Sequence, residues 1–396
     1  MLENSIFFSN MKNLSENATF DKCGITLQQI EFYQGFSWWI GGVTSTFISV
    51  SGIILNILAV CILCNKRVAP SLFNRLLISL AAMDNLFLSA TIFDASKDQL
   101  IKPPLPFYLS YIFVNIMYPV RSISMCASIY MTVGLSFERY TFLAKPLYHR
   151  TRHNTNTYTR VFLYIISSVT FSCLYYIPRF FDLELEENTS NCDFRSQHNE
   201  TLNINEPQNC TVHFDINPTK IRQNPYYILW YINISNLAVT GLVPGVLLAF
   251  FNYKIYQLLK LNKIQRASMV SRCNSNGIQE QKDNSKDTRR TFILFAIVVL
   301  FVVCHALRVV MNIEEVTNLA RQMEGDTHQC PLRYWAIITI PISSLMIQIN
   351  AGANFFIYCQ FDKTFREILC SVISKRNEIV TNTRKYQDTF ELQEMQ

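Results

Sequence analysis

The sequence predicts an all-α membrane protein: a seven-transmembrane helix bundle with a short amphipathic helix after the last span. Three observations carry this. Apolar residues make up 49% of the 396 and charged residues only 16%, against about a quarter charged in soluble domains. Seven windows, near 39–64, 73–95, 108–141, 158–181, 226–258, 289–316 and 334–358, each supply the roughly twenty apolar residues that cross about 30 Å of hydrocarbon. None shows the period-two alternation of a barrel strand, and only helices or closed barrels satisfy their backbone in lipid.

Taken in order, residues 1–38 form a polar, glycosylated amino-terminal segment with sequons at Asn13 and Asn17. No basic start followed by an apolar run precedes the first window, so that window is expected to act as the membrane anchor. Residues 39–358 form the membrane domain. It contains a long loop at 182–225, with eight Asp/Glu against three Lys/Arg, and another at 259–288; residues 259–290 hold eight Lys/Arg against three Asp/Glu. Excess Lys/Arg marks the cytoplasmic side, and Lys66, Arg67, Lys145, Arg150 and Arg152 agree with the second of these loops being inside. The sequons Asn188, Asn199 and Asn209 fall in the acidic loop, on the same side as Asn13 and Asn17. The amino terminus is therefore expected outside. A further sequon at Asn233 lies inside the fifth helix and should be unused. The net charge of +6 is spread over short segments between apolar runs, which reads as membrane topology and not as a nucleic-acid surface.

Ten of the twelve cysteines divide along the same map. Cys61, Cys64, Cys126, Cys173, Cys304 and Cys359 belong to apolar segments and read as packing residues. Cys23, Cys192, Cys210 and Cys330 face an oxidising exterior and allow three pairings. Cys192 with Cys210 and Cys23 with Cys330 is the favoured set, although the sequence leaves the choice open. Residues 359–396 hold the terminal helix and tail: Phe361 to Leu369 alternates apolar and charged faces, and Cys370 follows as a palmitoylation candidate on the inner leaflet.

Chemistry concentrates in a few polar residues inside the apolar windows. Ser136-Phe137-Glu138-Arg139-Tyr140 closes the third window, Asp84 lies mid-way along the second, and Asn354-x-x-x-Tyr358 ends the seventh. Ionisable residues at such depths are costly and need a partner or a wet cavity. Together these three motifs resemble the rhodopsin-like G-protein-coupled receptors. The resemblance implies several roles. Asp84, Ser128, Asn350 and Asn354 match the positions that surround a sodium ion, with oxygen ligands suited to a hard cation; the alternative is a protonated, hydrogen-bonded Asp84 with no ion. Arg139 matches the residue that contacts a heterotrimeric G protein. At rest its guanidinium would fork onto a carboxylate, either Glu138 beside it or Asp287 at the start of helix six, with Asp287 as a solvated charge the competing reading. Breaking the Asp287 pair would let helix six swing between two states.

The chain also departs from the family pattern. Val114 stands where relatives carry the cysteine bridged to the outer loop. Cys304-His305-Ala306-Leu307 replaces Cys-Trp-x-Pro, so helix six should be straighter. His305 is then either a pH-sensitive switch or a neutral packing histidine. Phe355 replaces the proline of the Asn-Pro-x-x-Tyr motif, and the fourth window lacks tryptophan. Tyr118-Pro119-Val120, Tyr176-Ile177-Pro178-Arg179-Phe180-Phe181, Asn252-x-x-Ile255-Tyr256 and Cys304-His305-x-x-Arg308-x-x-x-Asn312 look like the invertebrate FMRFamide-type neuropeptide receptors, over roughly residues 38–370.

That resemblance implies a plasma-membrane receptor, not an enzyme, for a peptide ending in arginine and amidated phenylalanine. Its partners would be the peptide, a G protein, arrestin and membrane lipid. Asp94 would take the ligand arginine, while Phe113, Tyr118, Phe180 and Tyr231 would supply aromatic walls. Arg121, Arg308 and Asn312 lie in the same region, and the two cations either pair with Asp94 or Glu314 or bind an acidic or carbonyl-bearing ligand directly. No resident cofactor is expected besides the candidate sodium ion. Another peptide or a non-peptide chemosensory ligand is the alternative, and a transporter or channel the distant one.

Overall fold

In the computed structural model, residues 26–65, 71–96, 106–144, 157–188, 213–270, 277–323, 333–372 and 374 are described. The seven windows are seven long helices: α1 (Gln28–Leu63), α2 (Leu72–Ala95), α3 (Phe107–Ala144), α4 (Thr157–Tyr175), α5 (Pro225–Leu261, continuing helically to Val270), α6 (Gly277–Met323) and α7 (Tyr334–Gly352). α8 (Asn354–Phe361) prolongs α7, and α9 covers 363–372. Six of the seven are long and apolar enough to cross a membrane on those grounds alone. α4 falls outside that group, and its Ser167, Ser168, Thr170 and Ser172 lower its apolarity; Ser167 and Ser172 bond back to carbonyls one turn earlier.

The elements follow local chemistry with some differences from expectation. α1 begins well before residue 39, because Thr26 and Gln29 form a reciprocal capping box around its first turn. α3 and α5 each widen into a π-helical stretch just before a proline: Phe113–Met117 precedes Pro119, and Ala238–Leu242 precedes Pro244. A proline ring clashes with the carbonyl four residues earlier and donates no hydrogen bond, and widening relieves both problems. α6, without a proline, is one continuous helix of 47 residues. The chain after α7 breaks at Ala353 even though Phe355 replaces the usual proline. The 259–288 segment is largely helical, taken up by the ends of α5 and α6.

α3 is the central helix, packed against α2, α4 and α5, while α1 packs on α2 and α7. Lipid removes most of the hydrophobic drive between helices, so small residues and polar bonds hold the contacts. Asn56 donates to the Ala351 carbonyl at 3.1 Å, and Ser45 and Ser49 donate to Gln348 at 2.9 and 3.2 Å, joining α1 to α7. The largest apolar cluster lies toward the carboxy-terminal face of the bundle, where Leu76, Leu135, Ile255, Leu294, Phe355 and Tyr358 pack with Phe365 and Ile368 of α9. The amphipathic face of α9 is thereby buried in the bundle.

The amino-terminal face carries an element that the sequence did not suggest. β1 (Leu183–Asn188) pairs antiparallel with β2 (His213–Pro218), with Leu183 opposite Pro218 and Asn188 opposite His213. Leu183 packs on Phe113, Val114 and Tyr118 of α3.

Candidate functional site: a polar cavity and the buried polar residues beneath it

Beside this hairpin a cavity of about 130 Å³ opens between α3, α5, α6 and α7. Four residues expected to bind ligand line it: Tyr118, Arg121, Arg308 and Asn312. The others are placed elsewhere. Asp94 is 3% exposed on α2, 3.8 Å from the Arg121 Nε, and is not among the lining residues. Phe113 is 1% exposed and stacked on Phe93 beneath the hairpin, with ring centroids 6.3 Å apart. Phe180 points out at 43% exposure, because the short 3-10 turn Ile177–Phe181 carries it off the helix line. The Tyr231 ring stacks on Tyr227, and its hydroxyl donates to the Tyr175 carbonyl at 2.9 Å.

Sequence reasoning passed over several lining residues. Arg179, Arg222, Asn233, Asn236, Glu315 and Ser343 all reach the cavity. A polar residue within an apolar helix was the available signal for Asn233, Asn236 and Ser343. Arg222 had none, since it comes from the single helical turn Lys220–Gln223 that follows β2.

One acid organises this wall. Asp182, fully buried, accepts from the hydroxyls of Tyr118 (3.0 Å) and Tyr227 (2.7 Å) and from Arg179 Nη1 (3.1 Å). Its carbonyl accepts from the Thr219 amide at 3.0 Å. One residue thus ties α3, the end of α4, the hairpin and α5 together. Although it opens the acidic loop at 182–225, Asp182 is a satisfied structural anion, because three donors converge on it.

Deeper in the bundle, Asp84 is 2% exposed; Ser128 donates to its Oδ1 at 2.5 Å and Asn354 to its Oδ2 at 2.9 Å. A pocket of about 10 Å³ adjoins Asp84, Ser128, Asn350 and His305, comparable to the space one water needs. Its lining mixes the oxygen-bearing Asp84, Ser128 and Asn350 with the apolar Phe87, Met125, Ile129, Ile347 and Ala351, and Asn354 is not among the lining residues; carboxylate, hydroxyl and amide oxygens are the ligand types a hard cation takes. His305 bonds through Nδ1 to the Phe301 carbonyl at 3.0 Å and stacks on the Phe301 ring at 4.1 Å, an arrangement that fits the packing reading.

At the carboxy-terminal face, the carboxylate of Glu138 is held by α4. Its hydrogen bonds come from Arg160 at 3.0 and 2.8 Å and from the Tyr164 hydroxyl at 3.1 Å, both on α4. Arg139 is 4% exposed, with its guanidinium over the rings of Phe73 and Phe142 at 4.2 and 5.5 Å. Tyr140 packs on Phe251, and the buried Tyr358 ring meets Phe365. Asp287 lies in α6, but its side chain is outside the described residues. So are Cys23, Cys192, Cys210, Cys330, Asn13, Asn17, Asn199 and Asn209, as well as the side chain of Asn188 at the end of β1. Cys370 is exposed on α9, and Asn233 is 1% exposed, which closes its sequon to a glycan.

A family model described as 7 transmembrane receptor (rhodopsin family) matches residues 55–358. The FMRFamide receptor of Drosophila melanogaster is 26% identical over 347 residues, 86% of this chain and 54% of its own length. The FMRFamide peptide receptor frpr-18 of Caenorhabditis elegans is 25% identical over 286 residues, 70% of this chain and 57% of its own. The chain thus spans little more than half the length of the curated relatives it matches.

Proposed function

Because the chain belongs to the rhodopsin family of seven-transmembrane receptors, we propose that it is a G-protein-coupled receptor for an extracellular neuropeptide of the FMRFamide type. In this reading it sits in the plasma membrane with its amino terminus outside. The observation that carries the reading is the polar cavity at the amino-terminal face, lined from α3, α5, α6 and α7. Arg121 in its wall and Arg139 at the opposite face share α3, eighteen residues and about 27 Å apart on an ideal helix. Two relatives named as FMRFamide receptors support the ligand class.

The mechanism that follows is a change of populations and involves no bond-making by the receptor. A peptide that binds one arrangement of α3, α5, α6 and α7 better than another shifts the bundle toward it by its differential affinity. The response is released where Glu138 holds α3 to α4 through Arg160 and where Arg139 rests on Phe73. A G protein would engage that face, with Arg139 as its contact and Asp287, Tyr140 and Tyr358 around it; arrestin and lipid at Cys370 would follow on the same side. A sodium ion belongs to the proposal as an allosteric partner, held by Asp84, Ser128, Asn350 and Asn354, where it would supply a fixed positive charge that favours one arrangement.

The test is calcium and cyclic-AMP signalling in cells expressing the chain, challenged with an Arg-Phe-amide peptide and its free-acid twin. A response to the amide is expected. Silence to both, with the receptor confirmed at the cell surface, would remove the FMRFamide-type ligand.

A further inference from the structure

The cavity wall is unbalanced in both charge and hydrogen bonding. Among its described lining residues are four arginines, Arg121, Arg179, Arg222 and Arg308, and a single carboxylate, Glu315. Arg222, Arg308 and Glu315 each make contacts of their own, and the other two arginines face carboxylates behind the wall. Arg179 bonds Asp182 at 3.1 Å, while Arg121 lies 3.8 Å from Asp94, beyond hydrogen-bond length, so that both Asp94 oxygens and the Arg121 Nε lack a hydrogen-bond partner. Two neutral groups add an independent sign. Asn233 Nδ2 and Ser343 Oγ, on residues 1% and 3% exposed, line the same cavity with no hydrogen-bond partner. Buried polar atoms in that condition carry a desolvation penalty that an incoming partner removes. The amide nitrogen can only donate, and the hydroxyl can donate. What the wall needs is an acceptor, and guanidinium groups in a poorly hydrated cavity favour an anionic one.

Resting on the reading of the chain as a peptide receptor, we propose that this cavity is a carboxylate subsite: its ligand presents a negatively charged oxygen pair to Asn233, Ser343 and the arginine wall. The ligand's own guanidinium, if it has one, is excluded from this floor by like charge and lies nearer the acidic hairpin, where Glu184 and Glu186 stand on β1. The carboxylate can come from an acidic side chain of the peptide or from a free carboxy terminus.

The experiment separates these sources. Amidated Arg-Phe peptides carrying Asp at either of the two positions before the Arg-Phe pair are compared with their Asn isosteres, and the amidated parent with its free-acid twin. Potency is read in cells, with surface expression measured alongside. An acidic side chain should raise potency roughly tenfold over its isostere, as a charge-assisted bond does, and the gain should shrink to within about twofold in Asn233→Leu and Arg308→Gln. A gain in the free-acid arm alone, abolished by the same variants, would support the subsite with the terminus as source. If the peptides act but no carboxylate gains, or if the neutral forms are preferred, the subsite is wrong.

A second readout needs no agonist: thermal unfolding of the purified receptor in detergent with millimolar N-acetyl-aspartate amide. The subsite requires a raised midpoint in the wild type that Asn233→Leu loses. Silence of every peptide together with that raised midpoint would sink the FMRFamide reading and leave the subsite standing. Silence together with an unmoved midpoint would overturn the subsite as well.

Discussion

At the residue scale, Asp182 decides how the amino-terminal face is built. Relatives of this family fasten their outer loop to α3 with a disulfide, and here the α3 position is Val114, 4% exposed and packed on Leu183. The neighbouring Asp182 supplies polar ties in the same region, collecting Tyr118, Arg179 and Tyr227. Removing the acceptor takes one partner from the mostly buried Arg179 guanidinium and from two tyrosine hydroxyls, so Asp182→Ala should cost about 3 kcal/mol, read as a lowered melting midpoint and reduced surface expression. Tyr227→Phe removes one donor and should cost only about 1 kcal/mol. An Asp182→Ala receptor that melts with the wild type would show that the hub carries no stability. The hub was illegible in sequence because two of its three partners lie 64 and 45 residues away, and an acid in an acid-rich loop gives no hint of burial. The same blindness applied to Glu138, whose partner Arg160 lies 22 residues on.

At the scale of elements, the contact of α1 with the end of α7 is set by two glycines. A Cβ on Gly52 would stand 2.9 Å from Leu88 Cδ1 and 3.1 Å from the Gly352 Cα. The leucine tip can rotate away, but the Gly352 backbone cannot, so the helices themselves would have to part. Gly52→Val should therefore destabilise the bundle by about 1–3 kcal/mol through overpacking. Gly245, with nothing within 4 Å of an added Cβ, is the control: Gly245→Ala should be neutral or stabilising by up to about 1 kcal/mol, because alanine is the better helix former. Equal losses of melting midpoint at the two sites would refute the close-approach account. The separation also matters for polar bonding, since Asn56 reaches the Ala351 carbonyl only while α1 and α7 stay this near.

At the scale of the whole molecule, the cavity and Arg139 lie at opposite faces of one helix bundle, so any coupling between them must be reciprocal. If agonist favours the arrangement that a G protein binds, a G protein must raise agonist affinity by the same factor. Membranes from cells expressing the chain should therefore lose agonist affinity by about 5- to 150-fold when a non-hydrolysable GTP analogue releases the G protein. The same analogue should have no effect in Arg139→Ala. An agonist affinity indifferent to nucleotide in the wild type would argue that the cavity and the carboxy-terminal face are uncoupled.

The sequence by itself determined the architecture, because hydropathy over twenty-residue windows is a local property and lipid leaves the backbone few options. It also determined the identity of the buried polar residues, since Asp84, Arg139 and Asn354 stand out against apolar neighbours. Only the tertiary structure decided the company those residues keep: Glu138 with Arg160, Asp94 behind Arg121, Asp182 beneath the tyrosines, and Asn233 and Ser343 facing a common space. Partnership depends on helix rotation and on the approach of segments far apart in the chain. Two π-helical stretches before prolines reset that rotation in α3 and α5, and a glycine pair sets the approach of α1 and α7. None of these is visible in the order of residues along a single helix.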